Sequence, residues 1–274
     1  PPLPIWRLDH LTCLTDDTGM LQHAVYTLPN YEHGYCTDDN ARALILMMLL
    51  EELEECFPER TRLSSIFAAF LHSAFDRTTG RFRNFMLHNR EWVPEIGSED
   101  SHGRALWALG TCVGRSQREG YRSWAAELFE KALPAVWQFE SPRAWAFTII
   151  GLHEYLRTLS GDRMASQFRF ELARRLRAAY DKTAHYDWLW FEDVVSYDNA
   201  RIPLALIMTG RWAGQPDLFD IGLKSLSWLM EHQLAPEGHF RPVGSNGFWK
   251  RGEQPAAFDQ QPVEAHATIF ACME

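Results

Sequence analysis

The sequence predicts an all-α protein, an (α/α) toroid of inner and outer helices with short β-hairpins in the loops on one face. Two observations lead to this fold class. A short motif recurs five times at predicted helix starts, and nearly all-apolar helices alternate along the chain with amphipathic ones. A period of roughly 40–60 residues with one helix start in each unit is typical of repeats built from helical pairs.

Each copy of the motif is a polar or acidic loop followed by an Arg or Glu and then by small and aliphatic residues at helical spacing. The copies span residues 37–44, 100–106, 140–146, 197–203 and, more weakly, 260–266. Their aligned charged residues lie 62, 39, 58 and 63 positions apart and are Arg42, Arg104, Arg143, Arg201 and Glu264. If the helices form a ring, these charged ends converge on one site.

The predicted helices follow in order. Residues 41–50 and 144–152 are apolar nearly all round, as expected of inner helices enclosed on both sides. Residues 62–75, 123–139, 165–180 and 218–232 carry one apolar stripe, as expected of outer helices. The sequence therefore predicts five inner and four outer helices. The last inner helix, 263–274, has no outer partner, so we expect one toroid domain over 1–274 that is incomplete at its C-terminus and cut from a longer chain.

The long connections contain the predicted hairpins. Residues 80–83 return through a turn at 88–89 to 91–93, and residues 238–241 return through 244–247 to 248–250. A third connection, 185–193, is aromatic and acidic. Since all three run into an inner helix start, we expect them to lie over one face and to be functional.

Composition excludes several classes of function. The net charge of −9 disfavours a nucleic-acid partner, and no apolar run is long enough to span a membrane. The start Pro1-Pro2-Leu3-Pro4 is not a signal peptide, and the five scattered cysteines favour a reducing compartment, so we expect a cytoplasmic protein. HExxH, GxxxxGK[ST] and GxGxxG motifs are absent, and we expect neither a metal nor a cofactor.

Two acidic clusters are the candidates for catalysis. Glu95, Glu99 and Asp100 precede the second inner helix, and Glu192, Asp193 and Asp198 precede the fourth. Glycoside hydrolysis needs one protonated and one ionised carboxyl group on either side of the scissile bond. We therefore predict a glycoside hydrolase that takes one catalytic acid from Glu99 or Asp100 and the other from Asp193 or Asp198, with inversion favoured.

Candidate substrate-binding residues surround these acids. Aromatic faces stack on the C–H faces of sugars, and charged groups at helix starts bond to hydroxyls. The predicted binding residues are Asp38, Asp39, Arg42, Trp92, His102, Arg104, Arg143, Trp188, Trp190, Trp249, Glu264 and His266. By contrast, Trp107, Trp124, Trp137 and Trp228 have helical spacing and are assigned to the core.

Three alternatives stay open. His102 and His266 both fall at inner helix starts and could move a proton at a sugar carbon, as an epimerase or isomerase requires. The acids and arginines could instead be structural ion pairs in a non-catalytic glycan-binding domain. The Asp38-Asp39 pair also suggests an isoprenoid cyclase, which the polar, Arg-rich helix ends disfavour.

Several segments carry a family resemblance. The alternating helices resemble the (α/α)6 toroids of carbohydrate-active enzymes. Residues 9–12, 16–19 and 34–42 resemble a bacterial helical domain found beside or fused to glycosyltransferases, and this resemblance covers most of the chain. It implies an oligosaccharide or polysaccharide substrate and a glycosyltransferase domain or partner. It implies no particular reaction and no catalytic residues.

Overall fold

A computed structural model describes residues 7–53, 57–94 and 96–274. The Pro-rich start, Cys56 and Glu95 lie outside the described residues. Two compact units contain the rest. Unit 1 comprises the residues up to Phe139 together with Glu154–Ser160, and unit 2 comprises Glu140–His153 and Gly161–Glu274. Within the described ranges, no helix combines the length and the apolar character that crossing a bilayer requires.

The helices of unit 1 begin with a short one and then alternate as the sequence predicts. They are α1 (Asp9–Cys13), α2 (Thr37–Glu52), α3 (Arg60–Ala74), α4 (Glu99–Arg115) and α5 (Glu119–Ala132), followed by a 3-10 turn (Leu133–Gln138). Helix α2 packs against α3 and α4, and α4 packs against α5. Burial is unbroken along α4 from Ser101 to Val113, whereas α5 buries a single stripe at Ala125, Leu128, Phe129 and Ala132. These are the burial patterns of an enclosed helix and a surface helix.

Unit 2 repeats the arrangement. Helix α6 (Pro142–Leu156) begins in this unit and ends in unit 1, and α7 (Arg163–Thr183), α8 (Arg201–Trp212), α9 (Pro216–His232) and α10 (Pro262–Met273) follow. Helix α8 packs against α7, α9 and α10, and it is buried without interruption from Arg201 to Gly210. A Cβ atom at Gly210 would lie 2.5 Å from the backbone nitrogen of Phe219, so glycine permits the close approach of α8 and α9.

Short strands connect the helices. In unit 1, β1 (Leu21–Val25), β2 (Leu28–Cys36), β5 (Phe85–Met86) and β6 (Trp92–Val93) form one antiparallel sheet in that order, and β3 (Phe75–Asp76) pairs with β4 (Arg81–Phe82). The first predicted hairpin is correct in its return strand, β6, but its partner is β5 and not residues 80–83, because Arg81 and Phe82 pair with β3. The longer hairpin of β1 and β2 was not predicted.

The second predicted hairpin is wrong. Strand β8 (Trp249–Lys250) pairs with β7 (Val194–Val195), which directly follows the third long connection, and not with residues 238–241. The side chains of Val195 and Trp249 are both buried, and the backbone N–H of Arg251 donates to the Asp193 carbonyl at 2.9 Å. Burial of these two apolar side chains therefore favours the pairing of β8 with β7.

Candidate functional site at the starts of the enclosed helices

The first turn of α2 holds two adjacent carboxylates between two arginines. Arg42, one turn further along, lies 3.0 Å from Asp38 and also bonds to Asp39. The other side of Asp38 is paired with Arg104, whose side chain is buried in α4. Carboxylates at a helix start interact favourably with the helix dipole, and the two arginines balance their charge. Asp38 is therefore held by one exposed and one buried cation.

Asp39 is the carboxyl of this group that is best suited to hold a proton. Burial raises its pKa above the usual range, and the negative charge of Asp38 acts in the same direction. Arg42 and Arg104 oppose this rise through their positive charge. A half-buried carboxyl with a raised pKa beside a second carboxyl is an arrangement that acid–base chemistry uses.

His102 does not have the role predicted for it. Its imidazole has no exposed surface. The backbone N–H of Phe82 donates to Nδ1 at 3.2 Å, and Nε2 donates to the Ala132 carbonyl at 3.0 Å. Burial lowers the pKa to about 3, and the positive charge of Arg81 adds to this effect. Because backbone groups occupy both nitrogens, the prediction that His102 binds substrate or transfers a proton is corrected to a structural role.

The remaining predicted acids of unit 1, Glu99 and Asp100, lie in the first turn of α4. Both are half-buried. Ser98 caps this helix by accepting a hydrogen bond from the Ser101 N–H at 3.1 Å. Glu99 also interacts electrostatically with Arg81. Favourable interaction with the helix dipole is thus one role that both acids already fill, and their catalytic assignment stays a prediction.

In unit 2 the same local motif is completely buried. Asp198 and Arg201 form an ion pair at 3.3 Å, and neither side chain has exposed surface. Asp198 has a φ of 48°, a left-handed conformation that Asp tolerates better than most residues. A buried carboxylate paired with a buried arginine cannot contact a sugar, so the prediction of Asp198 as a catalytic acid is corrected.

Glu264 at the start of α10 joins this buried group. Its carboxylate accepts hydrogen bonds from the backbone N–H of Asp198 and, at 2.9 Å, from the side-chain amide of Asn199. Burial raises the pKa of Glu264, and the nearby Asp198 adds to the rise, while the bonds from Asn199 lower it. Glu264 therefore ties α10 to the start of α8, and its predicted contact with substrate is corrected because only 2% of the residue is exposed.

His266 is the exposed member of the cluster. Arg201 donates from Nη2 to His266 Nδ1 at 2.8 Å. Since a guanidinium can only donate, Nδ1 carries no proton and Nε2 carries the hydrogen. Arg201 also lies over the ring of Phe270, 5.1 Å from its centroid. The imidazole of His266 is thus fixed by a buried arginine and lies at the protein surface.

Arg143 and the acidic connection form a second ion-pair group in unit 2. Arg143 donates to the Tyr197 carbonyl at 2.7 Å and to the Glu192 carboxylate at 2.9 Å. Asp193, whose side chain is 80% exposed, pairs with Arg251 at 3.1 Å. Every predicted site arginine therefore has a carboxylate partner within its own unit. The expectation that these arginines would be paired with neighbouring acids is met.

The tryptophans predicted to stack on sugar are mostly core residues. Trp188, Trp190 and Trp249 are buried together with Trp228, and the rings of Trp228 and Trp249 stack at 5.3 Å with 10° between their planes. Trp188 and Trp249 also donate to backbone carbonyls at 2.8 Å. The prediction that these three bind substrate is corrected.

Of the other predicted tryptophans, two that were assigned to the core are partly exposed. Trp92 is half-buried and packs against Phe70 at 5.2 Å, so part of its ring remains accessible. Trp107 and Trp228 are buried as predicted, but Trp124 is half-buried and Trp137 is 39% exposed. Helical spacing alone thus misassigned two surface rings to the core.

Two asparagines were missed. Asn40 and Asn199 occupy the same position in the Asp-Asn-Ala-Arg sequence that occurs in both units. Asn40 accepts a hydrogen bond from the Met20 N–H at 2.9 Å and donates to the Cys36 carbonyl at 2.9 Å, and Asn199 holds Glu264. The repetition of this tetrapeptide was the signal that could have identified them as residues that tie helix starts to neighbouring segments.

Comparisons with known proteins identify similar folds. No protein-family model and no curated protein matches the chain. Solved structures do. A D-mannose isomerase is 11% identical over 95% of this chain and 76% of its own length, with a TM-score of 0.68. Cellobiose 2-epimerase from Bacillus thermoamylovorans B4167 is 13% identical over 85% and 71% of the two chains, with a TM-score of 0.66.

A sugar epimerase from a ruminal bacterium is similar to the same degree, at 14% identity over 81% of this chain and 68% of that chain, with a TM-score of 0.63. At such identities the likeness establishes the fold alone. The fold is the all-α (α/α) toroid that the sequence predicts.

Proposed function

We propose that this chain is a carbohydrate-active protein of the sugar isomerase or epimerase kind. The observation that carries the proposal is the common fold with three sugar-processing enzymes over most of the chain. Fold alone does not fix a reaction, so the residues have to support it. Isomerisation and epimerisation of a free sugar both remove a proton next to the carbonyl carbon and return one to the resulting enediol.

His266 is the residue best suited to take part in this proton transfer. It is exposed, it lies near the start of α10, and Arg201 fixes its orientation through Nδ1. A neutral imidazole with its hydrogen on Nε2 can donate a hydrogen bond to a carbonyl oxygen and polarise it. The buried pair of Arg201 and Asp198 supports His266 from behind, so Arg201 is a positioning residue.

Asp39 is the second residue that we assign to proton transfer. Its raised pKa favours the protonated form relative to an ordinary aspartate, and Arg42 holds it in place. The two assignments rest on separate observations in separate units. Each can therefore be tested by its own substitution.

Hydrolysis has less support. A hydrolase needs two accessible carboxyl groups, whereas Asp198 is fully buried with Arg201 and Asp193 is paired with Arg251 on an exposed loop. Glu99 and Asp100 stay candidates on sequence grounds only. The similar solved structures named above are isomerases and epimerases.

A non-catalytic glycan-binding function is the second candidate, and one observation favours it. The acids at the helix starts are largely engaged by arginines or backbone amides, as a structural role requires. A glycosyltransferase partner would fit this function. That partner, the single domain over 1–274 and the cytoplasmic location stay predictions.

Exchange of hydrogen with solvent separates these functions. The full-length protein is incubated in D2O with D-mannose, D-glucose or a cello-oligosaccharide, and the products are followed by proton NMR. Isomerisation through an enediol places deuterium at C1 of the ketose, epimerisation places it at C2 of the aldose, hydrolysis releases smaller sugars without either label, and binding alone gives none of these. Absence of deuterium at both positions in every sugar would refute the proposed reaction.

Matched substitutions test the assigned residues. His266→Gln should lower the rate of deuterium incorporation at least about 100-fold, the lower range for loss of an acid–base group, and Asp39→Asn should have an effect of similar size. His239→Gln is the control, because His239 is also exposed but lies outside the cluster. Equal rates for the wild type and His266→Gln would remove His266 from the mechanism.

A further inference from the structure

A surface groove in unit 1 is lined by helices α3 and α5, and none of its lining residues was predicted to bind substrate or to catalyse a reaction. Small residues, Ala68 and Ala69 on α3 and Gly120 on α5, leave the space open. The cavity has a volume of about 470 Å³, which is within the range of small-molecule sites. Two aromatic residues of α5, Tyr121 and Trp124, form part of its wall. The groove is thus large enough for one or two sugar rings.

Hydrogen bonds hold both aromatic rings in place. Trp124 donates from Nε1 to His72 Nδ1 at 3.1 Å, and the Tyr121 hydroxyl lies 2.9 Å from the Ser65 hydroxyl. Arg118 lies over the Tyr121 ring, 4.4 Å from its centroid. Because these rings are ordered before any ligand arrives, binding would cost little side-chain entropy. Aromatic side chains in fixed orientations at a surface are suited to stacking.

Charged groups lie at the edge of the Trp124 ring. A smaller cavity shares His72 and Trp124 with the groove and is also lined by Arg77, Glu127 and Lys131. Glu127 and Lys131 form an ion pair there. These side chains supply hydrogen-bond donors and an acceptor next to an apolar face. This juxtaposition suits a ligand that has one apolar face and a polar edge.

We propose that this groove binds a pyranose ring of a glycan, with the C–H face of the sugar on Trp124 and its hydroxyls directed to Arg77 and Glu127. A pyranose with equatorial hydroxyls has this combination of an apolar face and a polar edge. An apolar helix of a second copy would instead remove water from the ion pair of Glu127 and Lys131. It would offer no hydrogen bonds in exchange for those that the water makes. The site lies in unit 1 and does not depend on the proposed reaction.

Titration with methyl β-cellobioside tests the site, because this closed-ring glycoside cannot be isomerised or epimerised. The full chain is labelled with ¹⁵N, and the indole N–H signals are followed during the titration. The Trp124 signal, assigned from its absence in Trp124→Ala, should shift in a saturable way. Sorbitol, which has hydroxyls but no ring face, should leave it unchanged. Failure of the glycoside to shift the Trp124 signal overturns the proposal.

Three variants sharpen the test. Ala69→Leu places a larger side chain in the groove at an exposed helix position and should weaken binding at least 10-fold while Trp124 is retained. His72→Ala frees the indole and should weaken binding several-fold. Trp137→Ala removes another exposed tryptophan of unit 1 and should leave affinity unchanged. Unchanged affinity in Ala69→Leu overturns the proposal even if Trp124→Ala fails to fold.

Sedimentation velocity tests whether a second copy of the chain occupies the groove instead. Self-association that depends on protein concentration, is lost in Ala69→Leu and is not reversed by the glycoside would identify the groove as an interface between copies. That result would also overturn the proposal. Sugar binding by a monomer that is lost in the same variant supports it.

Discussion

Acid pH should lower the free energy of unfolding because His102 cannot readily take up a proton in the folded chain. Its pKa is about 3 when folded, against about 6.5 for an ordinary histidine. Above pH 6.5 His102 is neutral in both the folded and the unfolded chain, and its contribution to the free energy of unfolding is fully present. Below pH 6.5 the unfolded chain binds a proton that the folded chain does not, and stability falls by about 1.4 kcal/mol per pH unit.

The magnitude follows from these two pKa values. At pH 5 the loss is about 2 kcal/mol, and it approaches about 5 kcal/mol near pH 3, where the folded protein also takes up the proton. Urea denaturation at pH 8, 6.5 and 5, followed by circular dichroism, measures this loss. Other titrating groups also change the free energy of unfolding with pH, so a variant without the imidazole is needed for comparison.

His102→Gln supplies that comparison. A glutamine amide can still accept from the Phe82 N–H and donate to the Ala132 carbonyl, but it does not titrate. Between pH 6.5 and 5 the variant should therefore lose about 2 kcal/mol less stability than the wild type. His239→Gln, at an exposed position, should keep the wild-type slope. Parallel slopes for the wild type and His102→Gln would refute the reasoning.

Three further substitutions test packing and ion pairs through the free energy of unfolding in urea. Gly210→Ala should cost about 1–3 kcal/mol because the new Cβ meets the backbone of α9; Gly120→Ala, where a Cβ meets nothing within 4 Å, should cost nothing. Glu154→Gln removes one of the two carboxylate partners of Arg115, bound at 2.7 and 2.8 Å, and should cost about 2–4 kcal/mol, whereas loss of the exposed acid at Glu127 should cost far less; equal losses would refute the distinction. Arg201→Met should lower the free energy of unfolding by about 3–5 kcal/mol, because it removes the arginine that pairs with the buried Asp198 carboxylate. Adding Asp198→Asn should restore part of that loss. A double variant that is less stable than Arg201→Met would contradict this account.

The helices were predictable because their chemistry is local. An enclosed helix such as α8 is buried on every side, and from Ile202 to Met208 its sequence is apolar throughout, while α5 buries one stripe and shows the matching period. Hairpin β1–β2 was not predicted because its burial leaves no local pattern in the sequence. Only its ends are buried, and so its residues show no sustained alternation of apolar and polar side chains.

The site was harder to predict because its decisive contacts join distant positions. The partners of His102 lie 20 and 30 residues away, and Glu264 bonds to residues 65 and 66 positions earlier. Nothing in the local sequence distinguishes such a residue from one that faces a ligand. The same holds for Trp188 and Trp190, since a connection has no period that would separate a buried ring from an exposed one.

The cluster of Trp188, Trp190, Trp228 and Trp249 gives unit 2 an optical signal of its own. Indole rings stacked at 5.3 Å and nearly parallel, as Trp228 and Trp249 are, couple their electronic transitions and produce strong near-ultraviolet circular dichroism. All four rings belong to unit 2. Loss of this coupled signal therefore reports the packing of unit 2, while the indole signal of Trp124 reports unit 1. Unfolding of the two units can be followed separately in one sample without an added label.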